Sequence, residues 1–135
     1  MAELVVEQAV PAGREVVWAA WTDPAAIARW WWRAIPGTSI AAEAREGGRY
    51  RFDAGAGFGV RGEYRALAPH ERLVLTWQWI DEGRPEPEVD EVEVLLAEAV
   101  GGTLVTVRHT TREAARDAYE EGWRDTLAHL PGACA

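Results

Sequence analysis

The sequence predicts an α+β domain in which a curved antiparallel sheet packs around one long C-terminal helix. Short β-prone segments separated by Gly- or Pro-containing turns fill the chain from Ser39 to Thr110, and an amphipathic stretch without proline follows until Pro131. Helices do not alternate with strands, which disfavours a parallel βαβ fold.

Taken in order, residues 4–10 (LVVEQAV) are β-prone and end at Pro11-Ala12-Gly13, so a first strand and a turn are expected. A short helix comes next, with Val17, Trp18 and Trp21 on one face. Asp23 followed by Pro24 has the form of an N-cap and first helical position, which predicts a second helix from Ala25 to about Trp32. Six strands then fit between the breaks Glu46-Gly47-Gly48, Gly55-Ala56-Gly57, Ala68-Pro69-His70-Glu71, Asp81 to Glu88 and Gly101-Gly102. Thr110 and Glu113 have capping-box spacing, which predicts a helix of about 20 residues, roughly 30 Å long, with Tyr119, Trp123, Leu127 and Leu130 on its apolar face.

With 135 residues the chain is expected to form one domain, 1–135, and its 48% hydrophobic and 27% charged content is globular. A net charge of −8 disfavours nucleic acid and anionic membrane as partners. All 14 basic residues are Arg, so Schiff-base and lysine-base chemistry is excluded. Cys134 is the single cysteine, leaving no intramolecular disulfide or cysteine-based metal cluster and fitting a reducing compartment. No signal peptide is visible in MAELVVEQAV, and the longest apolar-leaning run, LVLTWQWI, is far short of the ~20 residues needed to span a bilayer. A cytoplasmic location without membrane insertion is the expectation. No triad, phosphate-cradling loop or metal spacing is present, so no cofactor and no metal are expected.

Strand alternation assigns the inward face. Tyr50 and Phe52 oppose Arg49, Arg51 and Asp53, while Phe58, Val60, Gly62 and Tyr64 oppose Arg61, Glu63 and Arg65. Leu73, Leu75, Trp77 and Trp79 share a face; Val92 and Val94 oppose Glu91 and Glu93; Val105 and Val107 share a face with His109. The candidate ligand-lining set is therefore Tyr50, Phe52, Phe58, Val60, Tyr64, Leu75, Trp77, Trp79, Val94, Val107 and His109, joined by Tyr119 and Trp123 from the helix. The competing reading is that these side chains simply fill a core. Glycines 55, 57, 59 and 62 either leave an opening or permit a sharp strand bend.

His109 is the only histidine on an inner strand face and the weak catalytic candidate, with Tyr50, Tyr64 or Tyr119 as partners. Trp30, Trp31 and Trp32 cannot all face inward from one helix, so at least one is expected at the surface, as a lid or a homodimer contact. The acidic loop DEGRPEPEVDEVE reads as a solvated connection without chemistry.

Several short motifs, in order, carry a family resemblance. VVWAAWTDP (residues 16–24) with Ala28-Arg29-Trp30-Trp31 resembles the opening of proteins related to activators of the heat-shock protein 90 ATPase. Arg45 to Tyr50, Gly62-Glu63-Tyr64, Pro69 to Leu73, Thr76-Trp77, Gly102 to Thr106 and Gly122-Trp123 continue the resemblance over nearly the whole chain. It implies the START-related superfamily (SRPBCC), a helix-grip fold, and a hydrophobic ligand held between sheet and last helix. A chaperone role is the weaker implication, because the eukaryotic activators carry a further N-terminal domain and this chain starts at its first strand. The leading functional expectation is a carrier or sensor of a small hydrophobic, lipid-like or aromatic molecule. The alternatives are a cyclase- or aromatase-like enzyme using the same cavity, and a protein-interaction module.

Overall fold

A computed structural model describes residues 1–135. Strand β1 (Ala2–Val10) leads into helices α1 (Arg14–Thr22) and α2 (Pro24–Ile27). Strands β2 (Ser39–Ala42), β3 (Arg49–Asp53), β4 (Phe58–Ala68), β5 (Arg72–Asp81), β6 (Arg84–Pro85), β7 (Asp90–Ala99) and β8 (Gly102–Thr111) follow. The chain ends in α3 (Arg116–Leu127) and α4 (Leu130–Cys134), with one 3-10 turn at Glu113–Ala115 before α3. Seven strands form one antiparallel path, β1-β8-β7-β5-β4-β3-β2, and the two-residue β6 pairs with the end of β5. The predicted α+β architecture is therefore the observed one, with β6 as an extra strand inside the Asp81 to Glu88 loop.

The β4–β5 ladder is irregular over residues 62–66, its register shifting between Tyr64 and Ala66. Arg61↔Gln78 and Tyr64↔Leu75 are paired, but between them the Glu63 N–H donates to Thr76 Oγ1 (2.8 Å) instead of extending the ladder. The Tyr50 hydroxyl donates to the Thr76 carbonyl (2.6 Å). Gly62 makes this possible, since a Cβ there would lie 2.1 Å from the Thr76 carbonyl oxygen. Of the two readings of the glycine cluster, this position is a bend that admits close backbone approach.

Two helix expectations need correction. The C-terminal helical segment is not one helix of about 20 residues, because Thr110 and Thr111 pair with Glu3 and Ala2 as the end of β8. Their backbone groups are committed to the sheet, so Thr110 is no cap; the 3-10 turn starts after Arg112, and α3 is 12 residues long. Pro131 lies in the first turn of α4 rather than closing the segment. The second correction is α2, which stops at Ile27 instead of Trp32. Residues 28–34 continue as turns, with Trp32 in the left-handed region (φ +46°), and this irregular path lets Trp30 and Trp31 both face inward.

The apolar face of α3 packs on β1 through buried Trp123 and Leu127, and Leu130 continues it. Around Trp123 the aromatic rings of Trp21, Trp31 and Trp77 lie 6.2, 5.4 and 5.2 Å away, centroid to centroid. Such offset and edge-on contacts add to the area burial of large rings. No helix is long and apolar enough to cross a membrane.

Candidate functional site

A cavity of about 410 Å³ lies between the bent sheet and the start of the C-terminal helical segment. Its aromatic walls are Trp31, Trp32, Trp77, Trp79, Tyr119 and Trp123. On the helical side it is lined by Ala114, Ala115, Ala118, Gly122 and Thr126. Residues 114, 118, 122 and 126 recur every four positions and so form one row along the helical surface, and their small side chains leave the space between helix and aromatic wall unfilled. Glu86 and Arg112 are the charged lining residues.

The structure brings Trp77, Trp79, Tyr119 and Trp123 of the candidate set together around this cavity. Tyr50, Phe52, Val60, Tyr64, Leu75, Val94 and Val107 are instead buried in the core cluster. Phe58 is partly exposed and stacks on Trp79 (5.4 Å, 16° between planes), supporting the wall from behind without lining the cavity. Trp31 and Trp32 belong to the lining, whereas Trp30 is fully buried, its indole N–H donating to the Ala20 carbonyl (2.7 Å). Of the three consecutive tryptophans only Trp32 remains at the surface, half-buried against Phe58 and Trp79.

His109 lies behind the cavity wall with no solvent exposure. Its Nδ1 accepts a hydrogen bond from the Trp123 indole N–H (2.9 Å), and its Nε2 lies 2.8 Å from Asp90 Oδ2. An indole can only donate, so Nδ1 carries no hydrogen and Nε2–H donates to the carboxylate. None of the three tyrosines considered as its partner fills that role. Tyr119 only stacks beside the imidazole (4.4 Å between centroids), and the partner is Asp90, from the end of the loop read as chemically silent. That same loop supplies Glu86 to the cavity. The reading of it as purely solvated is therefore wrong at both positions: Asp90 is the first residue of β7 and shares the inward face with Val92 and Val94, while Glu86 lies before the strand, where alternation assigns no face.

Tyr119 accepts a hydrogen bond from the Trp77 indole N–H (3.2 Å), which leaves its own hydroxyl hydrogen unspent. Burial raises its pKa to about 12; the Trp77 bond lowers it, Asp90 and Glu86 raise it and Arg112 lowers it. Trp31, another wall residue, is buried with an indole N–H that has no hydrogen-bond partner.

A larger hollow of about 650 Å³ lies on the outer face of β3 and β4. Most of its lining residues are polar or charged, and two of its arginines are already engaged, Arg51 by Asp53 (2.9 Å) and Arg61 by Gln78 (2.9 Å). The inner cavity offers the apolar walls typical of a small-molecule site.

A curved antiparallel sheet closed by a C-terminal helix, with an aromatic cavity between them, defines a helix-grip protein. The model of the activator of Hsp90 ATPase homolog 1-like proteins matches residues 11–134, and the chain belongs to that family. Among solved structures it is similar to CalU16 from Micromonospora echinospora, with 30% identity and a TM-score of 0.73 over 98% of this chain and 76% of that one. It is similar in fold to MLL2253 from Mesorhizobium loti, with 23% identity and a TM-score of 0.80 over 98% and 96% of the two chains. DynU16, a protein of the dynemicin biosynthetic locus, shares the fold at 24% identity and a TM-score of 0.81; the match covers 96% of this chain but only 46% of DynU16. No curated protein matches the sequence significantly.

Proposed function

We propose that this chain binds a small hydrophobic molecule with an aromatic or otherwise flat body, as a non-catalytic carrier or sensor. The carrying observation is the cavity, about 410 Å³ of space walled by six aromatic rings and kept open by small residues on the helix side. That volume falls within the range of ordinary small-molecule sites, ~300–1,000 Å³. The unspent hydroxyl hydrogen of Tyr119 adds a donor for a ligand oxygen or nitrogen. A solution role away from membranes accords with the net charge of −8 and with the lack of any helix able to span a bilayer.

The cyclase- or aromatase-like reading has less support. Its candidate His109 does not face the cavity, both nitrogens being occupied behind the wall, and the acid that does line it, Glu86, is held by Arg112 (3.6 Å). A homodimer through the tryptophan run would rest on Trp32 alone, since Trp30 and Trp31 are buried within the chain. Titration of the intrinsic tryptophan fluorescence with a panel of flat apolar molecules tests the carrier reading. Quenching with saturation and a concentration-dependent rise in melting temperature is expected, as for any ligand that binds only the folded state. A panel that moves neither signal removes the proposal.

A further inference from the structure

The charged lining of the cavity is one ion pair, Glu86 with Arg112, and the excess charge beside it is negative. Arg112 faces two carboxylates, with Glu86 Oε2 at 3.6 Å and Glu88 Oε2 at 3.4 Å. A small adjoining hollow, lined by Trp79 and Tyr119 of the cavity wall, adds Asp90 to the same group. One guanidinium thus stands against Glu86 in the lining and Glu88 beside it, while the buried carboxylate of Asp90 is already met by the Nε2–H of His109. The negative side prevails.

The aromatic walls act in the same direction. Faces of Trp and Tyr carry negative quadrupolar density, and a cation within about 6 Å of such a ring is attracted to it. Six aromatic side chains converge on this cavity, five of them Trp, the strongest type of ring for that interaction. A carboxylate ligand would instead meet those ring faces repulsively and would compete with Glu86 and Glu88 for Arg112.

Resting on the cavity reading above, we infer that the occupant is a cation: a small molecule whose ammonium group is attached to an apolar or aromatic body. The body fills the space along Ala118 and Gly122, and the ammonium lies between the tryptophan faces and Glu86.

The test compares three probes with one aromatic body, (2-naphthylmethyl)trimethylammonium, 2-naphthylmethanol and 2-naphthylacetate, by isothermal titration calorimetry on the full chain. The ammonium compound should bind about tenfold more tightly than the alcohol, and the acetate more weakly than both, with the gap narrowing as salt rises. In Glu86→Gln the ratio of ammonium to alcohol affinity should fall towards one, and in Arg112→Gln it should grow. Both side chains are substantially exposed, so these variants should keep the fold. Equal affinity for ammonium and alcohol, or tighter binding of the acetate, overturns the inference and leaves the cavity reading intact. Failure of all three probes to bind sinks the cavity reading and the inference with it.

Discussion

His109 satisfies two buried neighbours at once. Trp123 has only a donor and Asp90 only acceptors, and a neutral imidazole offers one nitrogen to each. Replacing it with leucine leaves a mostly buried carboxylate and a buried indole N–H without partners, so His109→Leu should cost about 3 kcal/mol of unfolding free energy, read from urea midpoints. His109→Leu combined with Asp90→Leu should recover part of that loss, because the stranded charge is gone. A single variant as stable as the parent would mean that the relay contributes nothing. The inward position of His109 was legible from strand alternation through Val105 and Val107. The inward face of Asp90 followed from the same alternation, with Val92 and Val94, but the cross-strand pairing Val92↔His109 that sets the two side chains together is not a local property of either strand. Trp31 was hidden for a related reason: a helical reading of residues 25–32 puts neighbouring tryptophans about 100° apart, and the turn at Trp32 removes that constraint.

At the scale of elements, the row Ala114, Ala118, Gly122 and Thr126 decides whether there is a cavity at all. A Cβ at Gly122 would meet no atom within 4 Å. Gly122→Ala should therefore stabilise the protein by about 0.5–1 kcal/mol, through the lower backbone entropy of the unfolded chain, and raise the melting temperature. Gly122→Leu should keep the fold, extend into the cavity and weaken binding of a flat apolar ligand at least tenfold in a fluorescence titration. Full binding in that variant would place the ligand elsewhere. The row is visible in the sequence as four small residues at intervals of four, beside the Tyr119, Trp123 and Leu127 row, but attention to large apolar residues passes over it. Where the helix begins was less legible: Thr110 and Glu113 have the spacing of a cap, yet sheet pairing of Thr110 with Glu3, more than a hundred residues earlier, takes precedence over the local signal. The inward faces of most strands were readable because alternation is a local property of each strand, whereas the order of strands in the sheet is set by pairing across the chain.

For the molecule as a whole, the three tyrosines are spread over the bent sheet and the last helix, and burial acts on all of them in the same direction. Tyr64 and Tyr119 are each pushed up to about 12, and Tyr50, whose hydroxyl is tied to the Thr76 carbonyl at the bend, is raised well above its ordinary value by burial and then by Tyr64 and Tyr119. In the unfolded chain each ionises near 10. Below about pH 10 both states keep these protons and the tyrosines leave stability unchanged with pH. Above it the unfolded state binds fewer protons than the folded state, so stability falls as pH rises from about 10 through 12. Because these are the chain's only tyrosines, the phenolate absorbance near 295 nm is a reporter on the entire fold. We expect little phenolate signal at pH 10, followed by a steep rise that coincides with loss of far-ultraviolet circular dichroism. A smooth titration centred near pH 10 with the circular dichroism unchanged would show that the sheet and helix do not bury these hydroxyls in solution.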